Sequence, residues 1–350
     1  MKEIMNELIE NGYEAYIVGG YVRDYLLGIS SNDIDICTNA SIDEIMRIFK
    51  GRGKAFKEYF SYHIEENGFT YDITSFRKEL AYKKNKPTKL IKINDLETDL
   101  LRRDFTINTF AIDKDDKLID LLGAKKDLDS KIIRVVGNTE KKLSEDKTRI
   151  VRAIRLACSL DFDFDTDIIR FLSAKNVRLL NEVSKEYKKS EMDKIFKGPN
   201  PLRFFYILKK YNISKFFDIS FDKVVDTYNE LGIWAQIDTN LPLTKREKKA
   251  IEEIKSIVTY GDIELSDLNK YSEEIIYNAA SILGLEEKVR ILYDILHMSS
   301  FIELDVSINT ILRYTDIYDF KKVYKLIERN IMEGNLDNNN EEIIMFLKKM

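Results

Sequence analysis

The sequence contains very few of the residues from which disulfide scaffolds and histidine-rich metal centres are built. Among 350 residues there are two cysteines, Cys37 and Cys158, and two histidines, His63 and His297. Two cysteines in apolar surroundings are typical of buried, reduced thiols rather than of a disulfide framework. Two isolated histidines exclude a histidine-based phosphohydrolase centre. Carboxylates remain as the metal ligands, and they favour magnesium.

Long apolar runs are also absent, and the longest ones fall far short of a membrane span. No charged segment followed by an apolar one opens the chain, so we expect a cytoplasmic protein without membrane association. The composition, 44% hydrophobic and 33% charged, is that of a globular protein. The net charge of −4 gives no support for nucleic-acid binding, but residues 77–103 carry nine basic and four acidic side chains. Such a basic strip suits phosphate groups, or it is a solvated lysine-rich loop.

The chain changes character at Gly137-Asn138. Before this point short strands alternate with helices, and after it the apolar spacing is helical. The pattern predicts an α+β fold with a head over residues 1–137 containing a small mixed or antiparallel sheet, a helical neck over 138–200, and a helical body and tail over 201–350. The predicted strands are 16–18, 33–37, 59–64, 69–76, 89–93, 118–121 and 132–136. The predicted helices include 21–27, 141–160, 167–174, 182–196 and 202–210.

Two aspartates one residue apart, Asp33 and Asp35, follow a glycine pair, Gly19-Gly20. In a strand both carboxylates face the same side, where two hard cations could bind. The glycines permit a close approach of the backbone to a phosphate. This layout indicates a site that transfers a nucleotide from a triphosphate, although an Asp-x-Asp pair taken alone is more often solvated. Asp72, in another predicted strand, is either a third carboxylate facing this pair or a polar residue on the solvent face of a hairpin.

A second cluster begins with Arg102-Arg103-Asp104 and ends at Asn108. Arginine suits triphosphate and ribose contacts because its planar guanidinium group donates two parallel hydrogen bonds. The alternative is an Arg–Asp ion pair that fixes the turn before a helix.

The third cluster contains Asp146 and Arg149, which share a face of the predicted helix. An aspartate accepts from the exocyclic amine of cytosine or adenine, and an arginine donates to the ring nitrogen beside it. Uracil and guanine reverse both groups, so the pair admits C and A and rejects U and G. The alternative is an intrahelical salt bridge worth about 0.2–0.5 kcal/mol. Arg152 and Arg155 continue at a spacing of three that drifts around the helix, so Arg155 is expected to lie well away from Asp146.

Taken in order, these motifs resemble the class II tRNA nucleotidyltransferases, the family of the CCA-adding enzymes and the bacterial poly(A) polymerases. Gly-Gly-x-Val-Arg-Asp with Asp-x-Asp, Arg-Arg-Asp-Phe-Thr-x-Asn and Glu-Asp-x-x-Arg-x-x-Arg-Ala-x-Arg follow one another within residues 15–160. The resemblance implies a nucleotidyltransferase palm in the head, with Mg²⁺ held by Asp33 and Asp35. Together with the residue analysis it predicts nucleotide contacts by Gly19, Gly20, Arg23, Arg103, Asp104, Asn108, Asp146, Arg149, Arg152 and Arg155. Tyr187 stands where the family usually has an arginine.

The function hypothesis that follows is addition of CCA to tRNA 3′ ends from CTP and ATP without a nucleic-acid template. Partial CC- or A-addition and poly(A) tailing are alternatives within the family. A non-catalytic RNA-binding protein on the same scaffold and a metabolite nucleotidyltransferase are alternatives from other classes. The resemblance also implies that the body binds tRNA, with Lys209-Lys210 and the basic residues of 245–249 as candidate contacts; no protein partner is predicted.

Overall fold

The structure is a computed structural model, and it describes residues 2–298 and 302–350. The chain divides into two compact units: the first ends at Asp218 and the second begins at Ile219. The first unit contains the strands of the predicted head together with the helices of the predicted neck. The further division into head, neck, body and tail stays a prediction.

The described residues form strands that we number in chain order. They are β1 Ala15–Val18, β2 Asp33–Thr38, β3 Gly53–Phe56, β4 Ser61–Glu66, β5 Phe69–Ser75, β6 Arg77–Lys83, β7 Lys86–Lys92, β8 Ala111–Ile112, β9 Leu118–Ile119, β10 Ile132–Ile133, β11 Asp163–Phe164, β12 Ile219–Ser220 and β13 Asp238–Thr239. A mixed sheet in the first unit has the order β3-β4-β5-β2-β1-β8-β9. Strands β2 and β5 run parallel, and the other neighbours are antiparallel. The predicted small sheet of the head is confirmed.

Strand β2 carries polar groups toward one end of the sheet. Asp33, Asp35 and Cys37 alternate on one face, while the intervening isoleucines are buried on the other. Along the first face, Asp33 is exposed, Asp35 is half-buried and Cys37 is fully buried. Cys37 packs in a cluster with two leucines of helix Leu96–Leu101, which covers that end of the strand. Asp35 therefore lies at the boundary between the core and water.

Strands β6 and β7 form a separate two-stranded hairpin between Arg77 and Lys92. The sequence analysis treated most of this segment as a loop, with a strand only from residue 89, and that interpretation is wrong. Lys84 and Asn85 at the turn both have positive φ, 51° and 63°, as a two-residue turn matched to strand twist requires. The lysine-rich composition conceals the pairing because every second residue of the hairpin still faces water.

The helices of the first unit are α1 Glu3–Glu10, α2 Gly20–Leu26, α3 Ile42–Ile48, α4 Leu96–Leu101, α5 Ala124–Asp129, α6 Thr139–Glu145, α7 Thr148–Leu160, α8 Thr166–Ser173, α9 Lys185–Phe196 and α10 Leu202–Lys210. Helix α3 begins with a capping box formed by Ser41 and Glu44, as the sequence indicates. The single helix predicted over 141–160 is wrong. It is divided at Asp146, whose φ of −133° and ψ of 99° are extended. The carboxylate of Asp146 explains the break because it accepts hydrogen bonds that begin the next helix.

Short strands also lie outside the main sheet. Strand β10, the beginning of the strand predicted over 132–136, pairs in parallel with β11 rather than with the head sheet. Strands β12 and β13 pair antiparallel in the second unit. The remainder of the chain is otherwise largely helical, which confirms the predicted fold class.

The second unit contains α11 Glu230–Ala235, α12 Lys245–Tyr260, α13 Leu265–Lys270, α14 Glu273–Leu283, α15 Glu286–Leu296, α16 Ile308–Leu312, α17 Phe320–Met332 and α18 Asn340–Lys349. A cluster of buried aliphatic and aromatic side chains, including Ile327 and Ile343, joins the last helices. Within the described ranges, we find no helix with the length and apolar character needed to cross a membrane.

Candidate active site

A cavity of about 470 Å³ in the first unit is lined by residues of the sheet, the β6–β7 hairpin and helix α7. Seven arginines and four carboxylates line it, and this positive excess suits a nucleoside triphosphate. The predicted site residues that line it are Gly19, Gly20, Arg23, Asp35, Arg103, Asp104, Asn108, Asp146, Arg149, Arg152 and Arg155. The lining residues that the sequence analysis did not select for the site are Tyr59, Arg77, Glu79, Tyr82, Pro87 and Arg102. Two predicted site residues, Asp33 and Asp72, do not line this cavity.

Gly19 joins β1 to α2 and lies directly against two predicted site residues. Its φ of 80° is in the region that favours glycine. A Cβ atom at this position would be 2.4 Å from Oδ2 of Asp35 and 3.2 Å from Nη1 of Arg103. The absence of a side chain therefore allows the carboxylate and the guanidinium group to rest on the backbone of the glycine turn.

The predicted metal-binding carboxylates lie at the edge of this arrangement. Asp35 pairs in register with Asp72 on the neighbouring parallel strand β5, and Asp33 lies two residues before Asp35 on β2, opposite Thr70. Burial raises the pKa of Asp35, Arg103 opposes this shift, and the negative charge of Asp72 adds to it. A cation would relieve this cost, so the carboxylates fit a hard divalent metal. Within residues 2–298 and 302–350, no group of three or more histidine, cysteine, aspartate or glutamate side chains forms a candidate metal site. Water and substrate oxygens would have to complete the ligand set.

A chain of polar contacts connects the glycine turn with helix α7. Arg23 Nη1 donates to Asn108 Oδ1 at 2.6 Å, and Asn108 Nδ2 donates to Asp104 Oδ1 at 3.1 Å. Asp104 Oδ2 lies 2.5 Å from Nη2 of Arg152. Burial alone would raise the pKa of Asp104, but Arg152, Asn108 and the N–H of Phe105 together hold it below its ordinary value. The network therefore keeps an ionised carboxylate inside the cavity.

Asp146 and Arg149 are brought together at the start of α7. Asp146 Oδ1 accepts from the backbone N–H of Thr148 at 3.0 Å and from its hydroxyl at 2.5 Å. Asp146 Oδ2 lies 3.9 Å from Nε of Arg149, too far for a hydrogen bond. Arg149 is buried; its Nη1 donates to the carbonyl of Lys142 and its Nη2 to the hydroxyl of Tyr82, each at 2.9 Å. The two side chains thus form a loose ion pair without a hydrogen bond, and Asp146 lies outside helix α7.

Comparison with known proteins agrees with this geometry. The family model described as the Poly A polymerase head domain matches residues 15–134. The CCA-adding enzyme of Ligilactobacillus salivarius (strain UCC118) is 30% identical over 385 residues, covering 99% of this chain and 95% of that protein. The chain belongs to the CCA-adding enzyme family. It is therefore an enzyme of the nucleotidyltransferase class. The CCA-adding enzyme of Staphylococcus aureus (strain MRSA252) is 32% identical over 312 residues, 84% of this chain and 72% of that protein.

Solved structures of the CCA-adding enzyme family have the same fold. The crystal structure of the Bacillus stearothermophilus CCA-adding enzyme in complex with CTP has a TM-score of 0.67 at 24% identity. It covers 99% of this chain and 95% of its own. The Thermotoga maritima CCA-adding enzyme complexed with tRNA_CCA has a TM-score of 0.64 at 20% identity, covering 99% and 93%. At these identities the likeness concerns the fold.

Two arginines of this enzyme contact Asp99, a carboxylate that the sequence analysis overlooked. Asp99 is fully buried and lies 2.8 Å from Nε of Arg102 and 3.4 Å from Nη2 of Arg103. Burial and then repulsion from Arg102 lower the pKa of Arg77 to about 10. Among residues 2–298 and 302–350, the buried Nε atoms of Arg77 and Arg103 find no hydrogen-bond partner. The basic strip of residues 77–103 was the signal for an anion site here, but it could not single out these side chains.

The β6–β7 hairpin supplies the wall of the cavity beside Arg149. Glu79 hydrogen-bonds with the Tyr82 hydroxyl, and its Oε2 lies 3.9 Å from Nη2 of Arg149. The Arg149 guanidinium carbon lies 5.4 Å from the centre of the Tyr82 ring. The sequence analysis missed both hairpin residues because it treated their segment as a loop.

Arg155 lines the cavity but is held from outside it. Its Nε donates to Oε2 of Glu191 on α9 at 2.6 Å. Glu191 also accepts a hydrogen bond from Lys194. Burial alone would raise the pKa of Glu191, but Lys194 and Arg155 together hold it below its ordinary value. These contacts give Arg155 a structural role in joining α7 to α9. Its nucleotide contact and its separation from Asp146 stay predictions.

His63 lies on β4 beside the predicted third carboxylate. It pairs with Asp72 across the antiparallel β4–β5 ladder, and its Nδ1 lies 2.9 Å from Asp72 Oδ1. Its Nε2 lies 3.2 Å from Glu65 Oε1. Hydrogen bonds to Asp72 and then to Glu65 raise the pKa of His63 above its ordinary value of 6.5. Asp72 is thus held by the imidazole of His63.

We expect His63 to titrate above 6.5 in metal-free protein, and Asp72→Asn to lower that pKa because it replaces the charged carboxylate that favours the protonated imidazole. The contact between protonated His63 and Asp72 contributes its full stability below pH 6.5. This contribution is lost as the pH rises through the raised pKa of His63. Imidazole NMR signals suffice for the measurement because His297 is the sole other histidine. A His63 pKa that Asp72→Asn leaves unchanged would contradict the contact.

Proposed function

We propose that this member of the CCA-adding enzyme family adds C and A to tRNA 3′ ends from CTP and ATP. The observation that carries the proposal is one cavity in which Asp35, the glycine turn and the Asp146/Arg149 pair meet. One part of this cavity suits a triphosphate and another suits a base with an amine beside a ring-nitrogen acceptor. Localisation to the cytoplasm stays a prediction.

The triphosphate is assigned to the glycine turn and the surrounding arginines. Gly20 and Arg23 lie at the start of α2, and Arg103 rests on Gly19. In the proposed reaction the terminal ribose hydroxyl attacks the α-phosphate in line, and pyrophosphate leaves. The guanidinium groups bind the phosphates through paired hydrogen bonds and neutralise their charge, but they do not take part in bond making or breaking.

Magnesium is the cofactor we assign to Asp33 and Asp35. When bound there it would supply Lewis-acid stabilisation of the phosphoryl oxygens and activation of the attacking hydroxyl. Asp72, in register beside Asp35, is proposed as a third carboxylate of this site. Its contact with His63 fixes the position of its carboxylate.

The base is assigned to Asp146 and Arg149. Oδ1 of Asp146 is bound by Thr148, so Oδ2 is the oxygen left to accept from an exocyclic amine. Arg149 has five N–H donors and uses two in its recorded bonds to Lys142 and Tyr82, so donors remain for a ring nitrogen. This arrangement would accept cytosine and adenine and disfavour uracil and guanine.

The experiment that tests the function is incubation with tRNA lacking CCA, with each nucleotide separately and with CTP and ATP together. We expect addition of two C residues from CTP and completion by A when ATP is present. Addition limited to CC or to A, or an extended A tail, identifies the alternative activities within the family. Binding of tRNA without pyrophosphate release would support the non-catalytic alternative, and transfer to a small acceptor but not to RNA would support the metabolite enzyme.

Asp146→Ala is expected to weaken the use of CTP and ATP and to permit measurable incorporation from UTP or GTP. Loss of one hydrogen bond to a charged group costs about 1.5–3 kcal/mol, which is about tenfold to a hundredfold in selectivity. The measurement is kcat/KM for all four nucleotides, with the melting temperature to account for the lost helix cap. Asp167→Ala is the matched control because Asp167 pairs with Arg170 at the same spacing on α8, outside this cavity. A uniform decline with the C and A preference retained would reject the base-reading assignment.

The tRNA contacts proposed for the body involve exposed basic residues. Lys209 and Lys210 lie at the end of α10, and the basic residues of 245–249 lie at the start of α12. Lys210 is already close to the rings of Tyr206 and Tyr211. These contacts stay a prediction.

A further inference from the structure

Asp146 lies outside both flanking helices, so its backbone does not by itself determine where its carboxylate points. It follows the last residue of α6 with extended φ and ψ, and α7 begins at Thr148. The atoms that hold the carboxylate are the N–H and the hydroxyl of Thr148, which both donate to Oδ1. At 2.5 Å the hydroxyl bond is short, as expected for an O–H donor to an ionised carboxylate.

We propose that Thr148 is a positioning residue for nucleotide selection: its hydroxyl holds Oδ1 of Asp146, so that Oδ2 faces the base beside Arg149. The proposal rests on the proposed function and adds to it a residue that does not touch the base. The motif Glu-Asp-x-x-Arg leaves this position open, so the motif did not point to it.

The alternative position of the carboxylate shows why this matters. Asp146 and Arg149 are three residues apart, and Oδ2 is 3.9 Å from Nε of Arg149. A small rotation of a free carboxylate would close this gap and turn the loose ion pair into a direct hydrogen bond. Both groups would then satisfy each other, and the pattern that distinguishes C and A from U and G would be lost. The Thr148 hydroxyl opposes this rotation because it competes for the same carboxylate.

A second side chain supports the threonine from α9. Tyr187 hydrogen-bonds with Thr148 and lies beside Arg152. Tyr187 occupies the place of the arginine that the family usually has, and here it contacts Thr148.

The test compares Thr148→Val, which removes the hydroxyl at nearly constant shape, with Thr148→Ser, which keeps it. The ratio of kcat/KM for CTP to that for UTP is measured on tRNA lacking CCA, and the same ratio is measured as dissociation constants without tRNA. We expect Thr148→Val to lower the ratio about tenfold, as for loss of one hydrogen bond to a charged group, and Thr148→Ser to retain it. Tyr187→Phe should lower the ratio by a smaller factor in the same direction.

Thr166→Val is the matched control because Thr166 begins α8 beside the capping carboxylate of Asp165 and is exposed outside the cavity. A folded Thr148→Val protein with the wild-type CTP to UTP ratio overturns the proposal, and so does a serine variant that fails to retain the ratio. If Thr148→Val does not fold, Tyr187→Phe decides, and an unchanged ratio in it overturns the proposal. Absence of incorporation by the wild-type protein counts against the proposed function instead, while the ratio of dissociation constants still tests the role of Thr148.

Discussion

Asp35→Ala and Asp33→Ala are each expected to reduce nucleotide addition by at least about a thousandfold while the protein stays folded. The proposed metal site loses one of its two principal ligands in each case. Stability should change little, because Asp33 is exposed and the buried charge of Asp35 is costly in the folded state. The measurements are single-turnover incorporation on tRNA lacking CCA and thermal unfolding.

The control for this prediction is Asp115→Ala, from the sequence Asp113-Lys114-Asp115. This second Asp-x-Asp pair has the same spacing, and Asp115 is exposed and outside the cavity. Its replacement should leave incorporation at the wild-type rate. Substantial turnover by either Asp33→Ala or Asp35→Ala would contradict the proposal that these two carboxylates hold magnesium.

Gly19→Ala is expected to reduce incorporation by about a hundredfold or more. The new methyl group would be 2.4 Å from Oδ2 of Asp35, so the carboxylate and the Arg103 guanidinium group must move. Displacement of reacting groups by about 1 Å is sufficient for a loss of this size. The φ of 80° and ψ of −145° at Gly19 are essentially restricted to glycine and add a backbone cost of about 1–3 kcal/mol to stability. Incorporation kinetics together with the melting temperature separate the two effects.

Gly51→Ala isolates the backbone cost. Gly51 has the same φ of 80°, and a Cβ atom there would have no neighbour within 4 Å. We expect a similar loss of stability with wild-type incorporation. If Gly19→Ala retained the activity of Gly51→Ala, the close approach of Asp35 to the glycine turn would have no catalytic importance.

The sequence was most informative where local pattern and chemistry coincide. The alternation around Asp33 and Asp35 predicts a strand, and the strand places both carboxylates on one face. The capping box at Ser41 and the lengths of α8 and α10 were also readable, because short-range hydrogen bonds and apolar spacing determine them. The sequence did not predict the helix break at Asp146, because a helical apolar pattern runs through it. The break depends on the hydrogen bonds from Thr148 to the Asp146 carboxylate.

By itself, the sequence determined the family and the residue types of the site, because ordered motifs and the scarcity of histidine restrict the chemistry to carboxylates, glycines and arginines. Tertiary structure alone decided which side chains share the cavity. The β6–β7 hairpin brings Tyr82 to Arg149, which lies far along the chain, and α9 brings Tyr187 to Thr148. Such contacts depend on strand register and helix packing, and these follow from the burial of many residues at once rather than from any local pattern.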